Sequence, residues 1–160
     1  MDQKVLYEPI KNWLKSKSFE ALITGGKSEV VIPIRDLVPM AYKIPDLIGV
    51  NDSEQVIIVE AEQNKKNFFD VLGRCMLWKC IATFVYLALP EKECQKAKIL
   101  EKFGIGLLSI DKNTNKVKEL IAMLPQKTTD MFKVNELHPL DNEKERQLAI
   151  QIKNIIEDSN

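Results

Sequence analysis

Two apolar segments joined by a short polar turn constrain the fold of this chain more than any other stretch. They lie between Tyr42 and Gln63. Ile44 to Val50 and Val56 to Val59 are apolar almost throughout, which is typical of strands that are buried on both faces of a sheet. The polar residues Asn51 to Ser53 separate them and favour a tight turn. The stretch therefore predicts a β-hairpin in the core of the protein.

Three acidic residues interrupt this apolar hairpin: Asp46, Glu60 and Glu62. Glu60 and Glu62 are two positions apart, so on an extended strand they project from the same face. An antiparallel return of the chain brings Asp46 alongside that face. Carboxylates held close together repel one another unless a cation lies among them, and their oxygen atoms suit Mg²⁺ or Mn²⁺. The residues predict a divalent-metal site on the hairpin.

The pattern Pro45-Asp46, a strand spacer and Glu60-Ala61-Glu62 resembles the signature of the PD-(D/E)XK nuclease superfamily. In that superfamily the motif lies on adjacent strands of a restriction-endonuclease-like fold. The resemblance implies that Asp46, Glu60 and the backbone carbonyl of Ala61 bind Mg²⁺ or Mn²⁺. Glu62 stands where the family usually has a lysine, although some restriction enzymes carry Glu-x-Glu. The resemblance gives Glu62 the role of general base or further metal ligand.

The same resemblance implies two supporting residues. Glu8 on the first helix is a candidate fourth acid, and the alternative is a solvated glutamate that complements the helix dipole. Arg74 stands roughly where the family has a glutamine and is a candidate to hold a phosphate or orient an acid. The alternative for Arg74 is a surface ion pair with Asp70, four residues earlier on the same helix.

Four lysines are candidate nucleic-acid contacts near the proposed site. Lys65 and Lys66 directly follow the acidic residues, Lys43 precedes Pro45-Asp46, and Lys79 ends the next helix. Contact with phosphate is plausible at these positions. Any of the four is also a candidate to replace the missing lysine of the motif in space.

The rest of the chain predicts one α/β domain with a mixed central sheet flanked by helices. Residues 1–124 form the nuclease-like core, and residues 125–160 form a loop and an extra C-terminal helix capped by Asp141. The apolar face of that helix packs on the core or joins a second subunit. Predicted helices are Val5–Lys15, Phe68–Lys79 and Glu91–Phe103; predicted strands are Phe19–Thr24, Glu29–Val38, Ile81–Leu89 and Ile105–Asp111, with Lys116–Met123 a strand or short helix.

Composition gives weaker guidance. The 160 residues include 23 Lys+Arg and 23 Asp+Glu, so net charge gives no sign of nucleic-acid binding. No apolar run has the length of a membrane span and the start shows no signal-peptide pattern, so we expect a protein without a membrane partner. Three cysteines without zinc-finger spacing favour buried thiols in a cytoplasmic protein.

Two functions follow as hypotheses. The first is a metal-dependent DNA endonuclease that hydrolyses phosphodiester bonds. A homodimer fits this function, because cutting both strands needs two sites. The second is a nuclease-fold protein that binds nucleic acid or assembles with partners without catalysis. A third interpretation is that the carboxylates are ordinary residues at strand ends.

Overall fold

The computed structural model describes residues 3–25, 34–38, 41, 43–64, 68–123 and 140–159. The strands are β1 (Glu20–Ile23), β2 (Leu47–Val50), β3 (Val56–Ala61), β4 (Phe84–Pro90), β5 (Gly106–Asp111) and β6 (Lys116–Ile121). The α-helices are α1 (Tyr7–Ser16), α2 (Phe68–Trp78) and α3 (Asn142–Asp158), and 3₁₀ helices span Gln3–Leu6 and Glu91–Phe103. Within the described ranges, no helix is long and apolar enough to span a membrane.

The strands form one mixed sheet in the order β1-β2-β3-β4-β5-β6. The first three strands and the last pair are antiparallel, whereas β3, β4 and β5 run parallel to one another. Parallel neighbours need a crossover, and α2 and the longer 3₁₀ helix provide the two crossovers. The carboxyl ends of β3, β4 and β5 therefore meet at one edge of the sheet.

Burial of the strands follows their place in the sheet. Every residue of β3 is buried, because helices cover both of its faces. In β6 exposed and partly buried residues alternate, as expected for an edge strand with one face in solvent. The sequence left a strand and a short helix open for Lys116–Met123. The structure shows a strand over Lys116–Ile121.

Helices cover the sheet on both sides. Tyr7, Ile10 and Leu14 of α1 pack against one face, in a cluster that includes Leu47 and Val59. The opposite face packs against a larger cluster that includes residues of α2, α3 and the longer 3₁₀ helix. The buried strand residues therefore contact one of two apolar layers, according to the face from which each side chain projects.

The C-terminal helix α3 packs on the sheet. Leu148, Ala149 and Ile152 are fully buried in the larger cluster, and Asp141 caps the helix by accepting hydrogen bonds from the backbone amides of Glu143 and Lys144. The apolar face that suggested a dimer surface is thus used within the chain. The prediction of a homodimer loses this basis.

One predicted strand is wrong in its described part. Residues 34–37 form a short helical turn, not the end of a strand over Glu29–Val38. Ile34, Leu37 and Val38 are buried while the residues between them are exposed. This spacing of three and four is helical, and it outweighs the apolar composition of the segment. Residues 29–33 of the predicted strand and residues 125–139 of the predicted loop lie outside the described residues.

Candidate functional site

The acidic residues of the hairpin lie at the sheet edge where β3 ends. Asp46 directly precedes β2, Glu60 is in β3 and Glu62 follows its last residue. Because β2 is antiparallel to β3, with Leu47 opposite Val59, the start of β2 lies beside the end of β3. The hairpin brings the three acids together as predicted, but their side chains do not share one set of partners.

Glu60 is buried in the core, with 1% of its surface exposed. Its Oε1 accepts a hydrogen bond from the indole nitrogen of Trp78 at 2.6 Å. Its Oε2 accepts from Nη2 and Nε of Arg74, at 3.1 and 3.3 Å. Both carboxylate oxygens therefore face protein donors, which is what a buried carboxylate requires.

Arg74 lies at the centre of the acidic residues and is 5% exposed. Besides Glu60, its Nη2 is 3.3 Å from Oε1 of Glu62 and its Nη1 is 2.5 Å from Oδ2 of Asp70. The predicted i,i+4 pair with Asp70 is present, but the surface location is wrong. The planar guanidinium has five N–H donors in a fixed fork, and it uses them to hold three carboxylates at once.

Asp46 contacts groups on the other side of the sheet. Its Oδ1 accepts a hydrogen bond from the hydroxyl of Tyr7 at 2.7 Å, and its Oδ2 accepts from the backbone amide of Ala61 at 2.9 Å. Tyr7 and Ala61 belong to the apolar layer under α1, whereas Arg74 and Trp78 lie on the α2 side. Asp46 and Glu60 are thus neighbours along the edge with carboxylates directed to different partners.

Burial dominates the electrostatics of this site. Burial first, and then the negative charge of Asp46, raise the pKa of Glu60 to about 7, against the lowering effect of Arg74 and Trp78. Burial also raises the pKa of Glu62, again against Arg74. The thiol of Cys75, fully buried in α2, has a pKa well above its ordinary value because of burial. Cys75 is therefore inert as a nucleophile near neutral pH.

These contacts do not fit the metal ion that the resemblance implies. A cation bound to both Asp46 and Glu60 would have to displace the donors of Trp78 or Arg74 from Glu60, and the guanidinium already supplies positive charge at that place. Among the described residues, no group of three or more His, Cys, Asp or Glu side chains has a geometry that could hold a metal. Arg74 pairs with Glu60 and Glu62, and Tyr7 and the amide of Ala61 donate to Asp46, so the contacts of these three acids do not require a metal.

The other predicted residues lie in different surroundings. Glu8 is exposed in the first turn of α1, and no hydrogen bond of the described residues joins it to Asp46 or Glu60. Lys43 is exposed at the site edge, with its Nζ 3.8 Å from Asp70. Lys79 donates to the carbonyl oxygen of Phe103 at 2.8 Å, and burial lowers its pKa. The ammonium group of Lys79 is therefore hydrogen-bonded to the last residue of the longer 3₁₀ helix.

Lys65 and Lys66 lie outside the described residues, directly after Asn64. The structure adds residues that sequence reasoning missed. Trp78 and Tyr7 are the donors to Glu60 and Asp46, and the side chain of Lys112, in the turn after β5, donates to the side-chain oxygen of Gln63. Trp78 is one of the buried residues of α2, and no local pattern distinguishes an indole that only packs from one that also donates.

Comparison with known proteins identifies the fold alone. No protein-family model matches the chain, and no curated protein matches it. A solved structure, that of the SPO1766 protein of unknown function from Silicibacter pomeroyi, is similar with a TM-score of 0.66 at 12% sequence identity. The alignment covers 99% of this chain and 88% of that one. The α/β arrangement described above is thus shared with a protein of unknown function.

Proposed function

We propose that this protein binds nucleic acid on a restriction-endonuclease-like fold and does not cut it. The element order α1-β1-β2-β3-α2-β4, with Asp46 and Glu60 beside each other at the end of the β2–β3 hairpin, supports this fold. The observation that carries the absence of cutting is the state of Glu60. Its two oxygens are held by Trp78 and Arg74 within the core, so it does not present a free ligand atom to a metal or a phosphate.

Basic residues at the same sheet edge support the binding part of the proposal. Lys43 precedes β2 and Lys112 follows β5, and the hydrogen bond from Lys112 to Gln63 brings the β5–β6 turn to the end of β3. Both lysines are exposed. Lys65 and Lys66 follow Gln63 closely in sequence. Ligands of open α/β sheets commonly bind outside the carboxyl ends of the strands, and lysines there contact phosphate.

A second candidate function is that of a Mg²⁺-dependent DNA endonuclease. The observation that favours it is the placement of Asp46, Glu60 and Glu62 around Ala61 at one edge. A single cleavage assay separates the two candidate functions, because only an endonuclease is expected to show metal-dependent cleavage that Asp46→Asn abolishes. The free state of Cys75, Cys80 and Cys94 supports a cytoplasmic location for either function.

The test is fluorescence anisotropy with duplex, single-stranded and flap oligonucleotides, followed by gel analysis of the same samples with Mg²⁺ and with Mn²⁺. We expect binding without cleavage. The double variant Lys43→Ala, Lys112→Ala should bind at least about tenfold more weakly, with a salt dependence reduced by about one phosphate contact per lysine. Lys102→Ala, an exposed lysine in the last turn of the 3₁₀ helix, is the matched control and should bind normally.

Two results would overturn the proposal. Failure of the wild type to bind any of the oligonucleotides at low salt removes nucleic acid as the partner. Cleavage that requires metal and is lost in Asp46→Asn replaces the binding protein with the endonuclease.

A further inference from the structure

Phe69 is the most exposed large hydrophobic side chain among the described residues, with 83% of its surface accessible. Val5 follows with 53%, and the remaining exposed side chains of this kind are aliphatic. An aromatic ring in water forgoes the free energy that burial of its apolar surface would contribute. Phe69 therefore has the largest apolar surface that a partner of the described part of the chain could still cover.

The ring of Phe69 is positioned by its neighbour Phe68, the first residue of α2. Phe68 is partly buried and packs against the larger apolar cluster. The two ring centroids are 5.7 Å apart and the ring planes meet at 79°, an edge-to-face geometry that aromatic pairs favour. A ring held in this way loses less side-chain entropy than a mobile one when another planar group stacks on it.

Phe69 lies at the sheet edge where the exposed lysines are. Because α2 begins the crossover from the end of β3 to β4, its first turn stands at the carboxyl ends of these strands. The carboxylate of the next residue, Asp70, is 3.8 Å from the ammonium nitrogen of Lys43 and also pairs with Arg74. Lys112 reaches the same edge from the turn after β5. The edge thus combines an exposed aromatic ring with two exposed ammonium groups.

This combination favours a nucleic acid with unpaired bases. Lysines bind phosphate whether or not the bases are paired, so they do not select between a duplex and a single strand. Within a duplex each base is stacked on its neighbours, and a protein ring can stack on a base only after the base has left the helix. Sites for single strands commonly combine aromatic rings that stack on bases with cationic groups along the backbone.

We infer that Phe69 stacks on an unpaired base and that this edge of the sheet binds single-stranded nucleic acid. Lys43 and Lys112 contact the phosphates next to that base. The inference rests on the proposed function, and it adds to it the class of nucleic acid and the residue that selects it.

The test is fluorescence anisotropy of the full-length protein with three labelled probes of equal length: single-stranded oligothymidylate, the corresponding abasic strand and a duplex. The abasic strand keeps the phosphates and sugars but has no base on which a ring can stack. We expect the wild type to bind oligothymidylate most tightly, at least about fivefold more tightly than the abasic strand, which is the lower end of what stacking of one base contributes. Phe69→Ala should lose this preference, and Phe69→Trp should keep it.

Ile99→Ala is the matched control, because Ile99 is also a large apolar side chain on the surface, in the longer 3₁₀ helix. It should bind all three probes as the wild type does. Phe69→Ala should leave the salt dependence of binding unchanged, since phenylalanine carries no charge, whereas Lys43→Ala with Lys112→Ala should reduce it. Because Phe69 is exposed, Phe69→Ala should also keep the wild-type midpoint of thermal unfolding.

The results that overturn this inference differ from those that overturn the proposed function. Equal wild-type affinities for oligothymidylate and the abasic strand, tighter binding of the duplex, or a Phe69→Ala variant that still prefers oligothymidylate each remove the stacking role and leave nucleic-acid binding in place. A wild type that binds none of the probes removes both. Self-association of the wild type in analytical ultracentrifugation that Phe69→Ala abolishes would instead assign the ring to a contact with a second copy of the chain.

Discussion

The indole nitrogen of Trp78 donates to Oε1 of Glu60 across 2.6 Å, and this bond joins the end of α2 to the centre of the sheet. Trp78 is 1% exposed. Trp78→Phe removes the donor from a buried carboxylate and leaves unfilled volume, so we expect the free energy of unfolding to fall by about 2 to 4 kcal/mol. Urea unfolding followed by circular dichroism measures the change.

Trp13→Phe is the control for that substitution. Trp13 is partly buried and packs edge-on against Tyr86, with ring centroids 5.4 Å apart, and its indole nitrogen has no hydrogen-bond partner among the described residues. Its loss should cost less than about 1.5 kcal/mol. Equal costs at the two positions would mean that the bond to Glu60 contributes nothing beyond packing.

Glu60 should make the stability of the protein depend on pH between 4.5 and 7. Its pKa is 4.5 in its ordinary state and about 7 in the folded protein. Between these values the folded state holds a proton that the unfolded chain has released, so the free energy of unfolding falls as pH rises. The contribution is about 3 kcal/mol, fully present below pH 4.5 and lost as pH rises through 7.

The measurement is the difference in urea stability between the wild type and Glu60→Gln from pH 4.5 to 8. This difference should fall steadily across the window, because the glutamine does not titrate. Glu157→Gln, at an exposed position near the end of α3, should leave the wild-type pH dependence unchanged. A constant difference between the wild type and Glu60→Gln would show that Glu60 is not the titrating group.

The side chain of Glu145 joins the C-terminal helix to the start of β3 and to the residue that precedes β4. Its Oε1 accepts hydrogen bonds from the backbone amides of Val56 at 2.8 Å and Thr83 at 2.7 Å. Glu145→Ala leaves both amides without this acceptor, so we expect a loss of about 2 to 5 kcal/mol in the free energy of unfolding. Glu145→Gln keeps an acceptor oxygen and should lose about half as much. Guanidinium unfolding is the measurement.

Glu157→Ala serves as the control for Glu145, since it removes an exposed carboxylate from the same helix and should change stability by less than about 0.5 kcal/mol. Similar effects at the two positions would indicate that helix propensity, and not the bonds to the strands, determines the loss.

Gly106 and Gly73 should respond oppositely to alanine. A Cβ at Gly106 would lie 2.3 Å from two ring carbons of Tyr86, whose hydroxyl is held by Glu119 and by the backbone amide of Met123. We expect Gly106→Ala to cost about 3 kcal/mol or more. A Cβ at Gly73, exposed on α2, would meet nothing within 4 Å, so Gly73→Ala should raise stability by about 1 kcal/mol. Thermal unfolding of both variants tests the pair.

Much of the fold could be read from local patterns. The apolar runs around Asn51 predicted the β2–β3 hairpin, and the 3.6-residue spacing predicted α1, α2 and α3. Gly104 ends the segment predicted as the helix Glu91–Phe103, with a φ of 62°, a conformation that glycine adopts without strain. These features depend on residues close together in the chain, so composition and spacing suffice to predict them.

The sequence by itself also predicted that three carboxylates meet at one edge of the sheet, because the short turn pairs the start of β2 with the end of β3. Only the tertiary structure decided which groups bind these carboxylates and the buried carboxylate of Glu145. Arg74 is 14 residues from Glu60, Tyr7 is 39 from Asp46, and Glu145 is 89 from Val56. A buried charge takes its partner from whichever side chains the packing of helices on the sheet brings within reach. That packing is a property of the whole chain, and no local spacing encodes it.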